Sequence, residues 1–124
     1  MVFDLEPDEA RLLLDIALMA TGANRFRSSA KILAALERFR PDSPAIACAK
    51  AVALVSALRF AECVQYLDGE ALRRFPENPM LLAFRGMALL RMDRKDEAEP
   101  SLKAAAEQTE DPAAAKLAED LLKG

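Results

Sequence analysis

The chain contains no histidine, no tryptophan, one tyrosine, two cysteines and four glycines in 124 residues. Without histidine the commonest side chain for general acid–base work and metal binding is missing. Four glycines supply no glycine-rich phosphate loop, and no serine-nucleophile motif is present. No catalytic residue, metal ligand or cofactor is therefore expected, and the chain reads as something other than an enzyme. Cys48 and Cys63 stand 15 apart in apolar segments without CxxC spacing, which favours buried structural thiols over a disulfide or a metal pair. Valine, isoleucine and threonine together number only 9, little material for strands. No apolar run approaches the ~18 residues of a membrane helix. Residues 1–7 are acidic and lack the basic start and apolar stretch of a signal peptide, so the expected location is the cytoplasm. With 20 acidic and 17 basic side chains, a formal charge of −3 and a pI of about 5.1, the chain lacks the positive charge that draws phosphate backbones, and no nucleic-acid partner is expected.

What is abundant is alanine, 25 residues, and leucine, 19, both strong helix formers. The expected fold class is all-α, in a single domain. Proline supplies the punctuation: Pro41-Asp-Ser-Pro44 and Pro76-Glu-Asn-Pro79 stand 35 residues apart, and Asp111-Pro112 follows 33 after Asn78-Pro79. A helix ends before each such motif, and another begins at its last proline, because Ser43, Asn78 and Asp111 can cap and proline fits the first helical position. The spacing predicts helices over 7–22, 27–40, 44–57, 60–75, 79–92, 95–109 and 112–123. The turns Thr21-Gly-Ala-Asn24 and Met92-Asp-Arg-Lys95 are well suited to their task, and Ser56-Ala-Leu-Arg59 less so. Gly69 and Pro100 fall inside predicted helices as local conflicts, Pro100 being expected in or just after a first turn.

Residues 41–63 match 76–98 without a gap, pairing Ala53 with Ala88, Leu54 with Leu89, Arg59 with Arg94 and Glu62 with Glu97. A fainter third copy aligns Arg25-Phe26 with Arg59-Phe60. Two helices in every 34–35 residues is the mark of stacked hairpins, none of which can bury its apolar face alone. In this pattern the chain resembles the tetratricopeptide repeat family. The small residue of each first helix falls on Ala17, Ala51 and Gly86, and the small residue opening each second helix on Ser29, Cys63 and Ala98. The large apolar residue four further on is Leu33, Leu67 and Leu102, and the closing proline is Pro41 and Pro76. The sequence departs from the family in having Leu13, Ala47 and Leu82 where an aromatic is usual, and Lys50 and Arg85 where a leucine is usual. Its second repeat also runs one residue long around Asp68-Gly69. The resemblance implies three hairpins, at about 7–41, 42–76 and 77–111, stacked in a right-handed superhelix with a capping helix at 112–123.

In that family the first helix of each hairpin lines a concave, partner-binding side. Carried over, this groove comprises Leu14 and Leu18 with Arg11 and Asp15, then Cys48, Ala49, Val52 and Val55 with Ala45, then Met80, Ala83, Phe84, Met87 and Leu90. Two readings of this apolar stripe stand open, a core closed under the last helix and a binding surface, and for the stripe as a whole binding is the expectation. The lysines, arginines and asparagines that clamp acidic peptide tails are missing, so an apolar or amphipathic helix is the expected guest. Size and groove chemistry resemble the small chaperones that hold the needle subunit of type III secretion systems. A related resemblance, to repeat proteins of plant-pathogen secretion clusters, rests on Ala35-Leu-Glu-Arg-Phe-Arg-Pro41 and Asp111-Pro-Ala-Ala-Ala-Lys-Leu117. These imply a non-enzymatic chaperone for a secreted helical subunit, with a small co-chaperone on the N-terminal helices. The alternative is a general scaffold for complex assembly, and a homodimer is also conceivable. Acidic runs at 93–99 and 107–111 read as solvated turns and helix starts, and Arg38-Phe-Arg40 and Arg73-Arg-Phe75 as charges suited to helix C-termini.

Overall fold

The structure is a computed structural model that describes residues 6–124, and among the described residues it is helical throughout with no strand. The helices are α1 (Pro7–Gly22), α2 (Phe26–Phe39), α3 (Pro44–Ser56), α4 (Phe60–Tyr66), α5 (Leu72–Arg74), α6 (Pro79–Arg91), α7 (Lys95–Ala106) and α8 (Pro112–Lys123). A π-helical segment, Leu67–Ala71, joins α4 to α5, so that the chain stays helical from Phe60 to Arg74.

Local chemistry accounts for the boundaries. The side chains of Ser43, Asn78 and Asp111 accept hydrogen bonds from the N–H groups of Ile46, Leu81 and Ala114, at 3.4, 3.1 and 3.2 Å. Each satisfies one of the donors a helix start leaves open, and a proline follows each at the first helical position, where its missing N–H costs nothing. Ahead of these caps, the Ser43 N–H bonds the Arg40 carbonyl and the Asn78 N–H the Phe75 carbonyl, closing two tight turns with proline second in each. The helix-to-helix turns inside the hairpins also repeat. Asn24, Leu58 and Asp93 take φ of 62°, 61° and 60°, and the arginine after each, Arg25, Arg59 and Arg94, opens the next helix with φ of −96°, −98° and −114°. Ser56-Ala-Leu-Arg59, a poor turn by composition, therefore folds like its two counterparts.

The chain divides into two compact units, Met1–Ala57 and Leu58–Gly124, with the division inside the second sequence repeat. In the first unit α1 packs on α2 and on α3, and α2 packs on α3. Its core gathers Ala17, Leu33, Leu36, Ile46, Ala49 and Ala53, with Leu13, Leu14 and Ile32 packed against it. Inside the α1–α2 hairpin lies a buried polar pair. The Thr21 hydroxyl donates to the Ala17 carbonyl at 3.1 Å, which leaves the Ser29 hydroxyl to donate to Thr21 Oγ1 at 2.6 Å.

In the second unit α6 packs on α4, α7 and α8, and α7 packs on α8, so α8 meets α6 and α7 as α3 meets α1 and α2. Leu67, Leu81, Leu89 and Leu102 are fully buried. Gly86 is set against the Leu102 side chain so closely that any Cβ there would overlap it. The register read from the sequence holds in both units: Ala17, Ala51 and Gly86 are buried, as are Leu33, Leu67 and Leu102. Pro100 sits just past the first turn of α7, as expected, and the helix runs through it; its side chain is exposed.

Candidate functional site

The expected groove positions occur as one strip on each first-hairpin helix. On α3, Cys48, Val52 and Val55 recur at i, i+4 and i+7, one face of a helix, and all three are half-buried. On α6, Met80, Phe84 and Met87 repeat that spacing at the same depth, with Leu90 half-buried beyond them. On α1, Leu14 is half-buried and Leu18, Arg11 and Asp15 are exposed, and Ala45 at the start of α3 is exposed as well.

Ala49 and Ala83 do not belong to this surface. Ala49 is 3% exposed and points with Ile46 and Ala53 into the core of the first unit, and Ala83 is 0% exposed on a helix covered by three neighbours. Neither offers a guest any area. Val52 and Met87, expected to face solvent, are half-buried instead, so a charge at either position gives up part of its hydration.

The basic residues that break the repeat pattern have defined partners. Lys50 Nζ donates to Glu37 Oε1 at 2.8 Å, linking α3 to α2. Arg85 donates from Nε to Asp68 Oδ1 and from Nη1 to Ser101 Oγ, both at 2.7 Å, linking α6 to the π segment and to α7. In both cases a first-hairpin helix reaches an acidic residue on the second helix of the preceding repeat. Lys50 and Arg85 at equivalent repeat positions, each with an acidic residue 13 or 17 earlier on a helix expected to stack, were the available signal. The Arg94–Glu97 pair at the start of α7 is fully exposed; its hydrogen bonding raises the guanidinium's pKa and lowers the carboxyl's.

A shallow pocket of about 370 Å³ lies in the first unit, walled by Pro7, Ala10, Arg11 and Leu14 of α1, by Arg40, Asp42 and Ser43 of the turn between α2 and α3, and by Ile46 of α3. It touches the expected groove only at Arg11 and Leu14. Neither cysteine forms a disulfide; Cys48 is half-buried, and burial pushes the Cys63 thiol up to about 12. A thiol held protonated in this way is a poor nucleophile at neutral pH. Among the described residues no cluster of acidic or cysteine side chains is arranged to hold a metal ion, and no helix is long and apolar enough to cross a membrane.

One exposed feature went unread in the sequence. Leu12, Ile16 and Met19 of α1 are 60%, 42% and 73% exposed, at i, i+4 and i+7 on the side of the helix away from Ala17 and Thr21. The same periodicity that marks a core face marks this one, and only the choice of which α1 stripe goes inward separates them. No family model matches the sequence, and neither the curated proteins nor the solved structures contain a match.

Proposed function

We propose that the chain is a protein-binding module whose hairpins stack in a right-handed, tetratricopeptide-like superhelix, and that it acts as a chaperone for an apolar helix of a secreted subunit, in the manner of type III secretion. The observation that carries this reading is the pair of equivalent half-buried apolar strips, Cys48–Val52–Val55 on α3 and Met80–Phe84–Met87 on α6. Residues of a closed core would be covered completely, as Leu81 and Leu89 are on the same helix. Half-buried apolar side chains retain area that an amphipathic helix can cover, and methionines adapt to irregular guests. The repeated left-handed turn and the matching contacts of α3 and α8 support the array architecture.

Co-expression with candidate secreted subunits tests the reading, and a chaperone is expected to hold one such subunit soluble in an equimolar complex. Met80→Glu is a suitable disruptive variant, since residue 80 lies in the first turn of α6, where a carboxylate complements the helix dipole. Met87→Glu complements it, because a long side chain can bring its charge to water. Both are expected to keep helical content by circular dichroism and to lower guest affinity at least ~10-fold, equivalent to ~1.4 kcal/mol. Unchanged binding with an intact fold would move the guest to another face.

A further inference from the structure

The outward sides of α1 and α2 carry charge of opposite sign at the same spacing. Opposite the buried Ala17 and Thr21, Asp8, Leu12, Asp15 and Met19 recur at i, i+4, i+7 and i+11 along α1, all four exposed. Opposite the buried Ser29, Leu33 and Leu36, Arg27, Lys31, Ala34 and Arg38 repeat that spacing along α2, again all exposed. Among the described residues, none of the five charged members of these lines takes part in an ion pair. Residues 25–40 hold five basic side chains and one acidic, in a chain whose formal charge is −3. The acidic one, Glu37, is already bonded to Lys50 and leaves the basic line uncompensated.

We infer that the α1 line of one copy binds the α2 line of a second copy, antiparallel, in a head-to-tail contact. In one register all four positions match: Asp8 meets Arg38, Leu12 meets Ala34, Asp15 meets Lys31 and Met19 meets Arg27. Both carboxylates find a cation, the leucine seats on an alanine small enough to receive it, and the methionine lies along an arginine's aliphatic stem. Beside the lines, Glu9 falls towards Ala35 and Arg11 towards Glu37, so no like charges meet. A shift of seven residues either way keeps two of the four contacts and strands a carboxylate. A parallel arrangement sets Leu12 on Lys31 and Met19 on Arg38. Pairing α1 with α1 faces carboxylates with carboxylates, and α2 with α2 faces cations with cations, so charge selects the mixed contact. Such a contact leaves one α1 line and one α2 line free at the ends, and assembly continues past the dimer. The pairing is independent of the proposed guest strips on α3 and α6.

Sedimentation equilibrium of the full chain, from about 1 µM to about 1 mM, tests the inference over the range in which a contact along a single helix dissociates. At about 0.1 M salt the average mass is expected to rise from that of the 13.6 kDa monomer past twice that value. At about 1 M salt, where exposed charges are screened beyond ~3 Å, association is expected to weaken at least tenfold, a readout that needs no variant. Asp15→Lys sets two cations together and Lys31→Glu two carboxylates, and each variant alone is expected to stay monomeric. Both positions are exposed, so thermal unfolding is expected to keep its wild-type midpoint. An equimolar mixture of the two variants restores opposite charges at every contact and is expected to assemble again, a rescue that general surface damage would not produce. A wild-type chain that is monomeric at every concentration overturns the inference and leaves both lines to other proteins. A mass that levels off at the dimer overturns it by showing a closed, like-with-like contact. Association that survives either variant, resists salt, or is not restored by mixing overturns it as well, because the self-contact then lies elsewhere.

Discussion

Leucine is poorly suited to the left-handed backbone that residue 58 adopts, with φ of 61° and a side chain 73% exposed. Its Cβ crowds the neighbouring carbonyl, a cost of roughly 1 kcal/mol or more that asparagine and aspartate reduce by local hydrogen bonding. The equivalent residues of the other two hairpin turns are Asn24 and Asp93. Leu58→Asn therefore relieves strain and exposes nothing that was buried, and it is expected to raise stability by ~0.5–1 kcal/mol, read as a higher denaturation midpoint with an unchanged m-value. A fall in the midpoint would mean that Leu58 makes an apolar contact worth more than the strain. Gly86 is the opposite case, a position where the smallest side chain is required because Leu102 fills the space a Cβ would take. Both requirements arise from backbone and packing geometry, so composition pointed to the second through periodicity and gave no warning of the first.

At the scale of the element, the π-helical segment Leu67–Ala71 resolves the length of the second repeat. From Leu33 to the turn at Arg40 is seven residues, and from Leu67 to the matching turn at Phe75 is eight. The wider turn of a π segment takes up the extra residue without breaking the helix. Gly69 lies in it, exposed and with nothing within reach of an added Cβ. Gly69→Ala is expected to stabilise by ~0.5–1 kcal/mol, chiefly by narrowing the unfolded ensemble, and thermal unfolding would show it. A loss of stability would indicate that the segment depends on backbone freedom at that position. The helix starts were legible in the sequence because a cap is local: Ser43, Asn78 and Asp111 each bond an N–H three residues on. The inward stripes of large residues were legible as well, since Leu33, Leu67 and Leu102 have few alternatives to burial. Ala49 and Ala83 were not, because alanine suits a groove floor and a helix contact equally and only the neighbours decide. The one-residue excess could be counted, but not the form in which the helix takes it up, a π segment that buries both Leu67 and Ala71.

For the molecule as a whole, the two compact units raise the question of how stability is shared. The first has a core of its own, in which Leu36 is 1% exposed among Ala17, Leu33, Ile46, Ala49 and Ala53. The second rests on other side chains, with Leu81, Leu89 and Leu102 buried among α6, α7 and α8. In arrays of hairpins each repeat is held mainly by its neighbours, and opening can be confined to part of the chain. Leu36→Ala removes three buried carbon atoms from the first core, a change that costs ~2–5 kcal/mol when the site cannot collapse. Native-state hydrogen exchange is the fitting measurement because it reads each helix separately. Amides of α1, α2 and α3 are expected to lose protection by most of that amount, and those of α6 and α7 to keep theirs to within ~0.5 kcal/mol, the usual limit for independent sites. Equal losses in both units would mean that the chain opens as one cooperative body. In that event a guest held on α6 would also stabilise α1. With separate opening, a guest on α6 would leave the exchange of α1 unchanged.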